Sequence, residues 1–217
     1  MHRILARLAS VGLALAVISV TQAAVVSTIP MGDLINGGVV GEGSTSTIVR
    51  DSSGVMVTVE TALDEGLYTM WLLVWNDPAS CVGGDGLQCV PPPAGGQDPP
   101  DSVVYATGIG VGPSGRGNFG VRLNVGDVSN VTGGAVQAGL TNPMGADVHA
   151  IVRRKQAPID GRVIEQLTVF AGGCDVNDCV NIQGAPHESG AVDATTALLQ
   201  DIKGLLDRVA SRLGLRP

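Results

Sequence analysis

Histidine, aromatic rings and charge are all scarce in this chain: three histidines, two each of Trp, Tyr and Phe, and 15% charged residues among 217. Each scarcity removes a class of function. His2 lies in an apolar leader, so only His149 and His187 remain for acid–base or metal chemistry. Lys and Arg are outnumbered 13 to 20 by acids, and the one basic cluster, Arg153-Arg154-Lys155, reads as a solvated strand end. Nucleic acid and anionic membrane both demand clustered cations, so neither is expected as a partner. No Gly-x-Ser-x-Gly elbow is present, which argues against a serine hydrolase of that type. The glycine run GIGVGPSGRG lies between two strand-like runs, with no helix start or Lys-Ser/Thr pair after it, and is not a phosphate cradle. No cofactor is expected.

Long apolar runs are equally rare, and the longest stands at the start. His2, Arg3 and Arg7 precede the apolar stretch Leu8 to Val20, and Thr21-Gln22-Ala23 offers the small residues that a signal peptidase reads. Cleavage is expected after Ala23, leaving 194 residues. The stretch is shorter than the roughly 20 residues that span a bilayer, and no later segment is a transmembrane candidate. With no cysteine before Cys81, a lipid-anchor cysteine at the cleavage site is excluded. The mature chain would carry 11 Lys and Arg against 20 acids, a net charge of −9. The expected location is periplasmic or secreted.

Four cysteines, an even number in an exported chain, indicate two disulfides. Three pairings are open. Cys81 and Cys89 bracket seven residues and Cys174 and Cys179 bracket four, both rich in turn formers, so local pairing is expected over a zinc site.

Gly at 31 residues and Pro at 12, with short β-branched runs, is the composition of a turn-rich all-β domain. Strands are expected at 45–50, 54–61, 67–76, 102–111, 117–125, 146–153 and 163–171, with a short one at 179–183. Seven or eight strands with no helices between them indicate an antiparallel β-sandwich over residues 24–188. Asp51-Ser52-Ser53-Gly54 and Gly112-Pro113-Ser114-Gly115 read as hairpin turns. The stretch VPPPAGGQDPP, 90–100, holds five prolines and cannot join a ladder, so it should be an extended loop spanning the two sheets.

The segment GLYTMWLLVW, 66–75, holds three of the six aromatic rings. Tyr68, Met70, Leu72 and Val74 fall on one side of a strand, and Leu67, Trp71, Leu73 and Trp75 on the other, so both faces are apolar. Such a strand must be central and covered on both sides, with one row facing the other sheet or a covering loop. The competing reading is a carbohydrate-binding module in which Trp71 or Trp75 is an exposed stacking platform.

The blocks YTMWLLVWNDPASC, VVYATGIGVGPSGRGNFGVRLNVGD, GADVHAIVRR, EQLTVFAGGCDVNDC and VNIQGAPH, in this order across 66–187, resemble a group of exported bacterial β-sandwich proteins with no assigned activity. That resemblance implies fold and export, and nothing of chemistry. The strand-turn-strand leading to Phe119 is also distantly similar to chordin-type repeat modules.

In ADVHAIVRR, Val148, Ala150 and Val152 make an apolar face and Asp147, His149, Ile151 and Arg153 a mixed one, which places His149 on the solvent side. A surface ladder of compensating charges is the plain reading. The chemical one is a metal-dependent or hydrolytic enzyme in which His149 converges with His187, Asp147 or Glu165, the last expected opposite His149 on the next strand. Asp175, Asn177 and Asp178 offer oxygen ligands for calcium, although a tight turn accounts for them equally.

The end of the chain changes character. After the linker from residue 189, an amphipathic helix is expected over 193–213: Asp193 is an N-cap, and Leu199, Ile202, Leu206, Val209 and Leu213 recur at helical spacing, with Gly214 as a stop. Such a stripe docks on its own sandwich, on a partner helix, or on a second copy in a homo-oligomer. The function that follows is a non-enzymatic structural or binding module of the cell envelope or exterior.

Overall fold

The computed structural model describes residues 24–83, 89–91, 96–174 and 179–189. The expected leader, 1–23, and the expected helix, 193–213, lie outside them, as do the calcium candidates Asp175, Asn177 and Asp178. Ten strands are described: β1 (Val25–Pro30), β2 (Gly32–Asp33), β3 (Thr45–Asp51), β4 (Gly54–Ala62), β5 (Gly66–Trp75), β6 (Ser102–Val111), β7 (Arg116–Asn124), β8 (Val131–Gly133), β9 (Asp147–Arg154) and β10 (Val180–His187). They form a four-stranded sheet in the order β1-β3-β4-β7 and a six-stranded sheet in the order β2-β10-β9-β5-β6-β8. Neighbouring strands within each sheet are antiparallel. The chain is an all-β sandwich.

The alternating β-branched pattern accounts for the four-stranded sheet directly. On β4, Val55, Val57 and Val59 are fully buried while Met56, Thr58 and Glu60 face solvent. Their partners in the core come from the other sheet, where Tyr68, Met70, Leu72 and Val74 on β5 and Val148, Ala150 and Val152 on β9 point inward. The Asp51–Gly54 turn joins β3 to β4 as read, with the Asp51 carboxylate accepting the Ser53 N–H and hydroxyl at 2.8 and 2.6 Å.

Four features depart from the sequence reading. The segment 163–171 is not a strand: Val163–Thr168 forms a short helix, α1, followed by turns. Its β-branched residues mimic a strand, but β9 is already paired on both sides, by β5 and β10, so the segment folds over the sheet instead. The Gly112–Gly115 turn is not a hairpin, because β6 belongs to the six-stranded sheet and β7 to the four-stranded one. The Pro-rich loop does the reverse, since it links β5 to β6, which pair in one sheet. Finally, β10 runs on through Pro186 to His187, past the two-residue β2, on an edge where a missing N–H is tolerated. Strands β1, β2 and β8 are additional to those expected.

Polar side chains bridge the two sheets at the middle and at the end of β10. Thr61 Oγ1 donates to Gln183 Oε1 at 2.6 Å, and Ser46 Oγ lies 2.8 Å from His187 Nε2. Arg50, buried and half-way between the sheets, donates to the carbonyls of Pro143, Ala146 and His187 at 2.9, 2.7 and 3.0 Å. A cation there is held by satisfied hydrogen bonds and not by a countercharge in contact.

Candidate functional site

The outer face of the six-stranded sheet carries most of the residues singled out in the sequence. Register places Trp71 opposite Ile151, Leu73 opposite His149 and Trp75 opposite Asp147, so both rows share one face. That face is covered, not solvated. His149 is 4% exposed, Asp147 and Trp71 are fully buried, and Trp75 is 3% exposed. The alternation in ADVHAIVRR is real, but its mixed side meets two loops in place of water.

The first cover is the loop after β5. A three-residue 3₁₀ turn, Pro78–Ser80, leads into the Cys81–Cys89 disulfide, whose Cα atoms lie 5.2 Å apart. The Asp98 carboxylate gathers the N–H groups of Val82, Gly83 and Val90 at 2.7, 3.0 and 3.1 Å. Those bonds hold its carboxyl below the usual carboxylate range. The Asp98 carbonyl in turn accepts Trp75 Nε1–H at 3.0 Å, which ties the loop to the sheet. The His149 ring lies 4.7 Å from the Trp75 ring at 53°.

The second cover is the segment around α1. Phe170 packs edge-on to Trp71 at 5.0 Å, and Tyr105, its cross-strand neighbour on β6, does so at 5.3 Å. Trp71 Nε1–H donates to Thr69 Oγ1 at 2.8 Å. Lys155 is not a solvated strand end: it is 4% exposed, and its Nζ donates to the carbonyls of Val169 and Phe170 at 2.7 and 2.8 Å. Burial, and then the neighbouring Arg153 charge, push the Lys155 amine down to about 8. Arg153 places its guanidinium 4.3 Å over the Phe170 ring. Gly108 on β6 allows the close approach, since a Cβ there would collide with the Leu167 carbonyl. The Cys174–Cys179 disulfide closes the segment before β10.

The expected ligand set does not converge. His149 stands opposite Pro186 and His187 opposite Val148, so the two imidazoles project from opposite faces of the β9–β10 pair. His149 faces Trp75 outside the sheet, while His187 faces Ser46 between the sheets. Glu165 is on α1 and not on a neighbouring strand, where it pairs with Arg162 at 2.9 Å. Asp147 accepts the Ser189 N–H at 2.6 Å. Among the described residues, no three His, Cys, Asp or Glu side chains are placed to hold a metal ion together. Neither indole offers an exposed face for a sugar ring to stack on.

Burial leaves three polar atoms without a hydrogen-bond partner among the described residues: Asp147 Oδ2, His149 Nε2 and His187 Nδ1. It pushes the Asp147 carboxyl up, against the pull of its Ser189 bonds, and pushes His149 down to about 4. Burial, with smaller repulsions from Arg50 and His149, takes His187 to about 3. At neutral pH both imidazoles are uncharged packing groups. The sequence reading missed Arg50 and Gln183, whose partners lie far off in the chain, and Asp98, whose partners are gathered only by the folding of its own loop.

This is a disulfide-pinned two-sheet sandwich with a covered tryptophan face. Comparison with protein-family models, with curated proteins and with solved structures finds no match to the chain.

Proposed function

We propose that the protein is an exported, non-enzymatic β-sandwich, a structural or binding module of the cell envelope or exterior. One observation carries the reading: the two histidines left after the leader point to opposite faces of one sheet, and each is consumed in packing. The expected leader and the local disulfides support an oxidising, extracytoplasmic setting. Metal analysis of the purified, dialysed protein tests it. Less than a tenth of an equivalent of zinc or copper is expected in the wild type and in His149→Ala alike. A stoichiometric metal that survives dialysis and disappears in His149→Ala overturns the reading and restores the metal-dependent alternative.

The same proposal gives residues 193–213 a docking role through Leu199, Ile202, Leu206, Val209 and Leu213. About 20 residues with Gly204 inside are marginal as a lone helix in water, so the stripe needs a surface. Intramolecular docking is expected. Light scattering on the full chain and on a truncation after Ser189 should then find monomers in both, with the truncated form less stable. A full-length oligomer that becomes a stable monomer on truncation assigns the helix to self-association instead.

A further inference from the structure

One end of the sandwich is open. Between the last residues of β4, the first of β5, the β6–β7 turn and the paired ends of β9 and β10 lies a cavity of about 260 Å³, lined by Leu63, Asp64, Tyr68, Arg154, Ile182 and Gln183 among others. It lies just below the roughly 300–1,000 Å³ typical of small-molecule sites, so only a compact ligand would fit. Its wall is apolar where Leu63, Ile182 and the Tyr68 ring meet, and its polar groups have separate positions. The Gln183 carboxamide is 6% exposed and fixed at both ends, accepting from Thr61 Oγ1 at 2.6 Å and donating to the Ala62 carbonyl at 2.9 Å. The Tyr68 hydroxyl donates to the Asp64 carbonyl at 3.0 Å, leaving its oxygen lone pairs as acceptors.

The rim bears one charge of each sign. Asp64 and Arg154 are both exposed, both line the cavity, and both reach the Tyr68 hydroxyl electrostatically with opposite effect. Among the described residues, no ion pair joins Asp64 to Arg154. A ligand that was only a carboxylate would gain Arg154 and be repelled by Asp64, and one that was only an amine would meet the reverse. A molecule of zero net charge with its two charges held apart satisfies both, and an apolar side chain on it would cover Leu63 and Ile182.

We propose that this end cavity binds a free zwitterionic α-amino acid with an apolar side chain, its carboxylate on Arg154, its ammonium on Asp64 and its side chain against Leu63 and Ile182. Arginine suits the carboxylate because its fork of donors engages both oxygens. The inference rests on reading the protein as a binding module. An intact wild-type fold that ignores amino acids removes this ligand and leaves that reading in place.

The test is an NMR titration of the full mature chain with L-leucine, followed on the Gln183 side-chain amide. Two control probes each lack one charge: 4-methylpentanoate and 3-methylbutylamine. Saturable shifts with leucine are expected, with at least five-fold weaker binding of each control, and at least five-fold weaker leucine binding by Arg154→Gln and by Asp64→Asn. Both substitutions are on exposed side chains, and an unchanged amide spectrum elsewhere shows that the fold is kept. Absence of saturable shifts, a control that binds as well as leucine, or variants that bind leucine like the wild type would each overturn the proposal.

Discussion

Replacing Trp71 with alanine is expected to cost about 3 to 5 kcal/mol of stability, the range for deleting a large buried aromatic whose site cannot collapse. Collapse is prevented on each side. Below lies the β5 backbone, paired to β6 and β9. Above, the α1 segment is held off the sheet by its own anchors, with Lys155 on two carbonyls and Tyr105 Oη donating to the Leu167 carbonyl at 2.8 Å. Tyr105 and Phe170 would each lose their edge contact with the indole, and the Thr69 hydroxyl its indole donor. Chemical denaturation of the wild type and Trp71→Ala measures the difference, and Trp71→Phe, which keeps much of the volume, should lose distinctly less. A loss under about 1 kcal/mol for the alanine variant would mean that the ring is not a core residue.

Acid should unfold the protein well before its carboxylates are all protonated. Both histidines have native pKa values below the ordinary 6.5, at about 4 for His149 and about 3 for His187. The unfolded chain therefore binds more protons than the native one between these values, and stability falls as pH drops below about 6.5. It is fully present above that pH. Each unit of separation is worth about 1.4 kcal/mol, so by pH 4 the two sites together withdraw on the order of 6 kcal/mol, comparable with the whole stability of many domains. Asp147 acts in the opposite sense, because its raised carboxyl gains a proton early and relieves a buried charge, which offsets part of the loss. Denaturation midpoints from pH 8 to 4 should fall steeply in the wild type and less so in a His149→Phe, His187→Gln double variant. Equal slopes in the two proteins would show that the histidines are not the acid-sensitive groups.

Sequence pattern reached the fold where the local signal and the final packing agree. On β3, β4, β5, β6, β7 and β9 the strand ends match within about two residues, because β-branched alternation there coincides with one buried face or two. The two apolar faces of β5 foretold a covered central strand, and both tryptophans are buried. Segment 163–171 misled because its β-branched Val163, Ile164, Thr168 and Val169 are equally at home in a short helical cover, and only the prior pairing of β9 on both sides decides between them. His149 misled for a related reason: period two assigns a residue to a face, and says nothing of what lies on that face. One covering loop comes from residues 76–101, far from β9 in the chain, and the other, 156–174, follows β9 directly but folds back over the sheet with no local signal that it does so. Arg50 and Gln183 were illegible because their partners are fixed by the closing of the two sheets, and Asp98 because its partners meet only when its own loop folds over β5.

The central claim is that His149 and His187 are buried packing groups and not working ones. NMR titration of their ring resonances in the folded protein, from pH 8 down to the onset of unfolding, tests it most directly. Neither ring should take up a proton above about pH 5. A midpoint between pH 6 and 7 for either His149 or His187 would place that imidazole in water or beside a charge, and would contradict the account.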